Sequence, residues 1–449
     1  MTDPTSTDPT AHTGPGDQSS GDPEVVDGGT TDEPDRPEPI PLTEPADGVP
    51  PVLSTPAEFA EAGRLLSDGT GPVALDTERA SGFRYSGRAY LIQIKRTGSG
   101  SFLIDPIDHP EALTPVVDAL DGPEWILHAA DQDLPCLREL GFRCARLFDT
   151  ELAGRLLGIA RVNLAAMVEH FLGLGLVKGH GAADWSRRPL PADWLNYAAL
   201  DVEVLIELRD AVQAALVDAG KETWAEQEFA AVLARPDPPP RTDRWRRVSR
   251  IHTIKSPRIL AAVQQLWNAR EEIARRRDVA PGRILPDSAI IAAATADPKS
   301  LDELYKVPVF GGPRQRRQAA RWLSALDAAR RLTDKELPSR RPAAVGLPPV
   351  NRWEGKDPEA AARLAGIRAG LTDLSEQFSV PVENLLLPEL VRHVSWEGID
   401  PPTVQAVEQR LAAGGARPWQ IELTAPVISE ALGRPLEDED ADGPSTDND

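Results

Sequence analysis

The stretch Val73-Ala74-Leu75-Asp76-Thr77-Glu78 decides how the rest of the chain is read. Its apolar first half has the character of a buried strand. The strand then projects two carboxylates two residues apart, which the period of two puts on one face. Two like charges side by side are costly to bury unless a cation sits between them. Asp76 and Glu78 are therefore either ligands for a hard divalent cation or the frayed, solvated end of a strand, and the choice turns on whether further carboxylates arrive downstream.

Two more stations do arrive. Trp125-Ile126-Leu127-His128-Ala129-Ala130-Asp131-Gln132-Asp133-Leu134 reads as a strand delivering the chain to a helix start, where an acid is favoured by the orphan amides. Asp131 is the expected N-cap. Asp133, followed by the apolar spacing Leu134, Leu137 and Leu140, is the expected ligand, and His128 reads as a strand-end residue with a satisfied hydrogen bond. The third station is Tyr197-Ala198-Ala199-Leu200-Asp201. Positions i and i+4 of a helix share a face, so with Leu200, Val204 and Leu208 packed on a sheet, the phenol and carboxylate point over its rim towards Asp76.

The surrounding pattern supplies that sheet. A short helix over 56–66 leads into the first strand. Strands over 89–95, with Leu91, Gln93 and Lys95 alternating, and 101–107 join through Thr97-Gly98-Ser99-Gly100 into an antiparallel meander. Helix (110–120), strand (124–128), helix (132–140), a strand near Leu147 and helices over 149–158, 163–172 and 191–215 follow. This predicts an α/β domain with a mixed sheet over 51–234.

Charge divides the remainder. The net charge is −21, but residues 1–50 hold twelve acids and one base, and 434–449 seven acids and one base. The first has almost no large apolar side chains, and both are expected to be disordered acidic tails. Residues 235–331 hold twenty-one bases against ten acids, a basic block inside an acidic chain. That polarity suits nucleic acid, with Arg275, Arg276, Arg277, Arg314, Arg316 and Arg317 as candidate phosphate contacts. A Pro/Arg linker (235–250), including a proline hinge at 236–240, precedes an all-α domain (251–331). A second linker (332–356) precedes a second helical domain (357–433) that repeats the order of the first. The two linkers are expected to leave the pose of the modules relative to the site free, while the second module, with a net charge of −4 over 332–433, is expected to pack against the α/β domain rather than bind phosphate. Two cysteines, Cys136 and Cys144, suggest neither a disulfide framework nor a zinc site, and a reducing compartment is expected. With no apolar run of about 18 residues and no signal-peptide core, a cytoplasmic location and no membrane partner are expected.

Together, Asp76 and Glu78, Asp133, and Tyr197 with Asp201 resemble the DEDD superfamily of 3′-5′ exonucleases in its tyrosine subgroup. Asp184-Trp185-Ser186-Arg187-Arg188-Pro189-Leu190 resembles the loop before the third motif of ribonuclease D. Segments 278–281, 284–287 and 301–311 resemble the helicase-and-RNase-D C-terminal (HRDC) domain, the second helical domain reading as a divergent copy. Arg79 and Trp194 depart from the common pattern. The resemblance implies a ribonuclease-H-like fold and two divalent ions, Mg2+ or Mn2+. Asp76, Glu78 and Asp201 would hold the first, and Asp76 with Asp133 the second, while Tyr197 orients the attacking water. Arg79, His128, Trp185 and Arg188 are the nucleic-acid contacts expected near the site. The implied activity is removal of nucleoside 5′-monophosphates one at a time from RNA 3′ ends, in tRNA precursors and other small structured RNAs, by a monomer. A DNA-directed repair exonuclease and a non-catalytic RNA-binding scaffold stand as the alternatives.

Overall fold

The computed structural model describes residues 38–177, 179–236, 242–340 and 346–434. Most of the proline hinge and most of both acidic tails lie outside the described residues.

Val73, Ala74 and Leu75 are fully buried, as an apolar strand start requires. They belong to β3 (Thr70–Arg79), a central strand of a six-stranded sheet. Its other members are β2 (Val52–Leu53), β4 (Ala89–Thr97), β5 (Gly100–Ile104), β6 (Glu124–Leu127) and β7 (Arg146–Asp149), in the order β2-β5-β4-β3-β6-β7. β3, β4 and β5 form the expected antiparallel meander, and β6 and β7 extend it in parallel on the other side of β3. The β4–β5 turn depends on Gly98 and Gly100, both at positive φ (83° and 90°), a region that a Cβ disfavours.

Helices α1 (Pro56–Asp68), α2 (Thr114–Ala119), α3 (Leu134–Glu139), α4 (Thr150–Leu156), α5 (Leu164–Leu172), α6 (Ala192–Glu203), α7 (Leu205–Asp218) and α8 (Glu222–Ala234) complete this α/β part. The single helix expected over 191–215 is divided between α6 and α7 at Val204. The Lys95 ammonium donates to the Glu203 carbonyl (3.0 Å) and pairs with its carboxylate (2.8 Å), drawing that carbonyl out of the helical ladder. The N-terminal tail also ends earlier than composition suggested. β1 (Ile40–Leu42) pairs in parallel with β8 (Leu174–Leu176), and Asn196 donates to the Thr43 carbonyl (2.8 Å).

The helical parts repeat one another element by element. α9 (Pro257–Arg277), α10 (Pro281–Ile284) and α11 (Asp287–Ala296) have 21, 4 and 10 residues. They are followed by α12 (Leu301–Lys306), α13 (Pro313–Arg316) and α14 (Ala319–Arg331). In the second module α15 (Pro358–Phe378), α16 (Val382–Leu385) and α17 (Pro388–Glu397) again have 21, 4 and 10 residues, before α18 (Val404–Ala413) and α19 (Pro418–Gly433).

Their settings differ, and neither is free. The first module has its own core, around Leu266, Phe310 and Trp322. It grips the β3–β4 loop through Asp278, which accepts from the Ser86 amide (2.8 Å) and the Tyr90 hydroxyl (3.2 Å). The second shares one continuous core with the α/β part. Trp419 stacks on Trp224 at 4.7 Å and donates to Glu228 (2.9 Å), which also pairs with Arg417 (2.6 Å). The second module thus packs against the α/β part as expected, and the expectation of a free pose is corrected: side-chain contacts, not linker composition, set where the modules sit. No helix among the described residues is long and apolar enough to cross a membrane.

Candidate active site

The end of β3 carries Asp76 and Glu78 on one face, and α6 crosses that face with Asp201 one turn beyond Tyr197. Oxygen atoms of Asp76, Glu78 and Asp201 all lie within 4.8 Å of one another, and the Tyr197 hydroxyl hydrogen-bonds Asp201. Asp133 stands in the same cleft, a hollow of about 520 Å3 also lined by Arg79, Gln132, Arg155, Asn163 and Gly181. Four acids around one hollow repel one another. Burial, and then the charges of Asp133, Asp201 and Glu78, hold the Asp76 carboxyl well above the usual range. Burial, followed by Asp201 and Asp133, pushes Glu78 up to about 9, and burial pushes Asp201 up to about 7 despite the Tyr197 hydrogen bond. Burial and the same carboxylates push the Tyr197 phenol up as well, so at neutral pH it is a protonated hydroxyl. An all-oxygen, anionic donor set of this kind suits a hard divalent cation, whose charge would remove the repulsion.

Asp133 takes a different position from the one read in the sequence. It occupies the N-cap position of α3 itself, which leaves Asp131 exposed and outside the helix, yet its side chain caps nothing. Its Oδ1 instead accepts from the buried Thr77 hydroxyl at 2.5 Å. Thr77 was not singled out because it lies between the two acids on the opposite face of β3. Asp149 was missed too. It caps α4 and also accepts from the amides of Ala129 (3.1 Å) and Ala130 (2.8 Å), fixing the turn that leads to Asp133. The available signal was an acid at a strand-to-helix junction, Phe148-Asp149-Thr150. Gly179 was likewise missed. A Cβ there would stand 1.6 Å from the Tyr197 ring, so only glycine lets the chain pass beside the phenol.

Of the expected nucleic-acid contacts, Arg79 lines the cleft and reaches Gln132 at 3.4 Å. Three others are corrected. Trp185 is fully buried, donates to the His180 carbonyl (3.3 Å) and packs on Trp194, so it presents no face to a base. Arg188 is exposed at the surface, but its guanidinium is engaged by Asp105 (2.5 Å) and by the carbonyls of Trp185 (2.7 Å) and Tyr90 (2.8 Å), bolting its loop to the sheet. His128 lines the cleft but bonds Thr150 (2.9 Å), and burial pushes its pKa down to about 4, so it carries no charge for a phosphate. In the basic module Arg275, Arg276, Arg277, Arg314, Arg316 and Arg317 are all exposed, with Arg275 over the Tyr85 ring (5.8 Å) and Arg316 over Tyr305 (4.6 Å).

Comparison with known proteins adds a lineage to this geometry. A family model described as "3'-5' exonuclease" matches residues 51–216, one described as "HRDC domain" matches 259–326, and one described as "3' to 5' exonuclease C-terminal domain" matches 346–432. A Ribonuclease D of Zymomonas mobilis is 32% identical over 65% of this chain and 79% of its own length. A Ribonuclease D of a Shewanella species is 30% identical over 70% and 78%. Among solved structures, a protein from Bifidobacterium adolescentis is 37% identical with a TM-score of 0.81, covering 88% of this chain and all of that one. Escherichia coli RNase D, at 23% identity and a TM-score of 0.58, covers 85% and 98% and shares the fold.

Proposed function

The chain belongs to the ribonuclease D family and is a 3′-5′ exoribonuclease, and we propose that it trims the 3′ trailers of tRNA precursors and other small structured RNAs at a two-ion centre built on Asp76, Glu78, Asp133 and Asp201. One observation carries the assignment of the centre: three carboxylates within 4.8 Å, with a phenol hydrogen-bonded to one of them, in a single cleft.

Asp76, Glu78 and Asp201 would hold one ion, and Asp76 with Asp133 a second; Mg2+ and Mn2+ both suit these hard oxygen donors. Such ions, when bound, neutralise the phosphate and lower the pKa of a bound water. The remaining work falls to the chain's own groups. Thr77 fixes the Asp133 carboxylate by donating to its Oδ1. Tyr197, held protonated, is no general base; its hydroxyl is anchored by Asp201 and uses its oxygen lone pairs to orient a water. Arg79 on the cleft wall offers a guanidinium to the terminal phosphates. The exposed arginines of the first module extend positive charge to the body of a structured RNA.

The test is a time course on a tRNA precursor with a short 3′ trailer, labelled at its 5′ end, with Mg2+ or EDTA, for wild type and Asp201→Ala. A metal-dependent ladder shortening one nucleotide at a time, absent in the variant, is expected. Full activity in EDTA, or in Asp201→Ala, would overturn the assignment of the centre. An intact trailer beside a shortened unstructured RNA would overturn the substrate.

A further inference from the structure

Gln93 stands directly opposite Asp76 in the β3–β4 register, and directly paired residues of antiparallel strands share a face with Cβ atoms about 5 Å apart. That is the face covered by α6. Leu91, the partner of Glu78, and Leu103, the partner of Gln93 on β5, both pack with Ala198 and Ala199. Next along β4 on this face, Lys95 is matched with Glu203. Gln93 is not matched. It is fully buried, and neither its Nε2 nor its Oε1 has a hydrogen-bond partner. Among the described buried side chains it alone has both ends of its polar group unpaired.

A carboxamide sealed from water without partners forfeits its hydration, and a leucine or methionine would fill the same space without that loss. The one polar group directly across from it is the Asp76 carboxylate. A carboxylate that binds a cation keeps further lone pairs that can accept from a neighbouring N–H. A side chain with three rotatable bonds reaches across such a strand pair. We propose that Gln93 is a positioning residue for the metal centre: its Nε2–H donates to the Asp76 carboxylate, fixing the oxygens of that ligand for the cation. Partners of this kind, one shell behind a metal ligand, typically change metal affinity 10- to 100-fold.

The inference deepens the metal-centre reading and rests on it. The test is Mn2+ binding followed by titration and by the electron paramagnetic resonance of the bound ion, with the melting temperature of the metal-free protein, for wild type, Gln93→Met and Leu91→Met. Gln93→Met keeps length and flexibility and removes only the amide. Leu91→Met perturbs packing one register step away. The expected result is a loss of ~10-fold or more in Mn2+ affinity and an altered resonance for Gln93→Met. Its metal-free melting temperature should be unchanged or higher, and Leu91→Met should bind as wild type does. Unchanged affinity in Gln93→Met overturns the inference, as does an equal loss in Leu91→Met or a metal-free melting temperature that falls with the affinity. Wild type that binds no Mn2+ overturns the metal-centre reading itself, and this role with it.

Discussion

The crowding of Glu78 can be read in a measurement that needs no substrate. Burial, Asp201 and Asp133 push its carboxyl up to about 9, from 4.5 in the absence of those surroundings. Between those values the folded chain keeps a proton that the unfolded chain releases. The unfolded state binds fewer protons there, so stability falls as pH rises, from its full value below 4.5 to its lowest above about 9. At about 1.4 kcal/mol per pH unit for one proton, raising pH from 5.5 to 8.0 removes about 3 kcal/mol through this group. Asp201, raised to about 7, and Asp133, raised to about 6, act in the same direction over lower windows, so the slope should be steeper below pH 7 than above it. The assay is urea unfolding of EDTA-treated protein at several pH values across that range, for wild type and Glu78→Gln, with and without Mn2+. The variant should lose about 3 kcal/mol less than wild type on going to pH 8.0. Mn2+ at about a hundred times its dissociation constant should return about 2.7 kcal/mol to wild type at the upper end. Metal-free wild type whose stability is flat or rises from pH 5.5 to 8.0, or a Glu78→Gln protein with the full wild-type slope, would refute the reasoning.

Three further outcomes are expected. Tyr197→Phe should slow single-turnover hydrolysis ~100-fold or more while leaving the Mn2+ titration within about twofold of wild type, because the phenol orients water and is not a ligand. Replacing Arg276, Arg277, Arg314 and Arg317 together by alanine should lower the slope of log K against log salt by about 3 for a single-stranded RNA, with hydrolysis of a dinucleotide unchanged. Trp185→Ala should cost ~3–5 kcal/mol in unfolding experiments with no loss of RNA affinity per folded molecule, since the ring is core.

The parts of the site that could be read beforehand are those whose geometry is local. Two residues on a strand and four on a helix have fixed periods, so Asp76 with Glu78, and Tyr197 with Asp201, declare their shared faces without any knowledge of the sheet. Thr77 and Gly179 act across the fold, through a partner 56 residues away for Thr77 and through a ring-to-backbone approach for Gly179, and nothing in their own neighbourhoods announces this; Asp149 left only its place at a strand-to-helix junction. Trp185 and Arg188 misled for a related reason. A Trp beside arginines in a Pro-containing loop has the composition of a nucleic-acid contact, and only burial distinguishes it from a loop anchor. β1 was hidden because a three-residue strand with one exposed isoleucine carries no periodicity; its partner strand alone defines it.

The two helical modules carry the argument one step further, because near-identical local patterns end in different settings. Both begin with a 21-residue helix that closes on a residue in left-handed conformation, Asp278 in one and Ser379 in the other, followed by a proline-started turn of helix. In the first, the closing residue is an acid whose side chain hooks the β3–β4 loop, and Tyr85 of that loop packs against the module's core, so the module is held at one edge and keeps its own core beneath its arginines. In the second, the same corner meets backbone. The buried Lys221 ammonium donates to the carbonyls ending α4 and α15, Leu156 and Phe378, both at 2.6 Å, and Gly158 abuts Ser379 so closely that a Cβ would lie 2.5 Å from its carbonyl oxygen. With Trp224 between Phe378 and Trp419, the seam becomes core. Tryptophans and a buried lysine therefore commit one copy to the α/β part, and an aspartate and surface arginines leave the other on its edge with its charge outward. The net charge divides the same way, +11 over 235–331 against −4 over 332–433: the module that shares the α/β core lacks the surplus of surface arginines that the other carries.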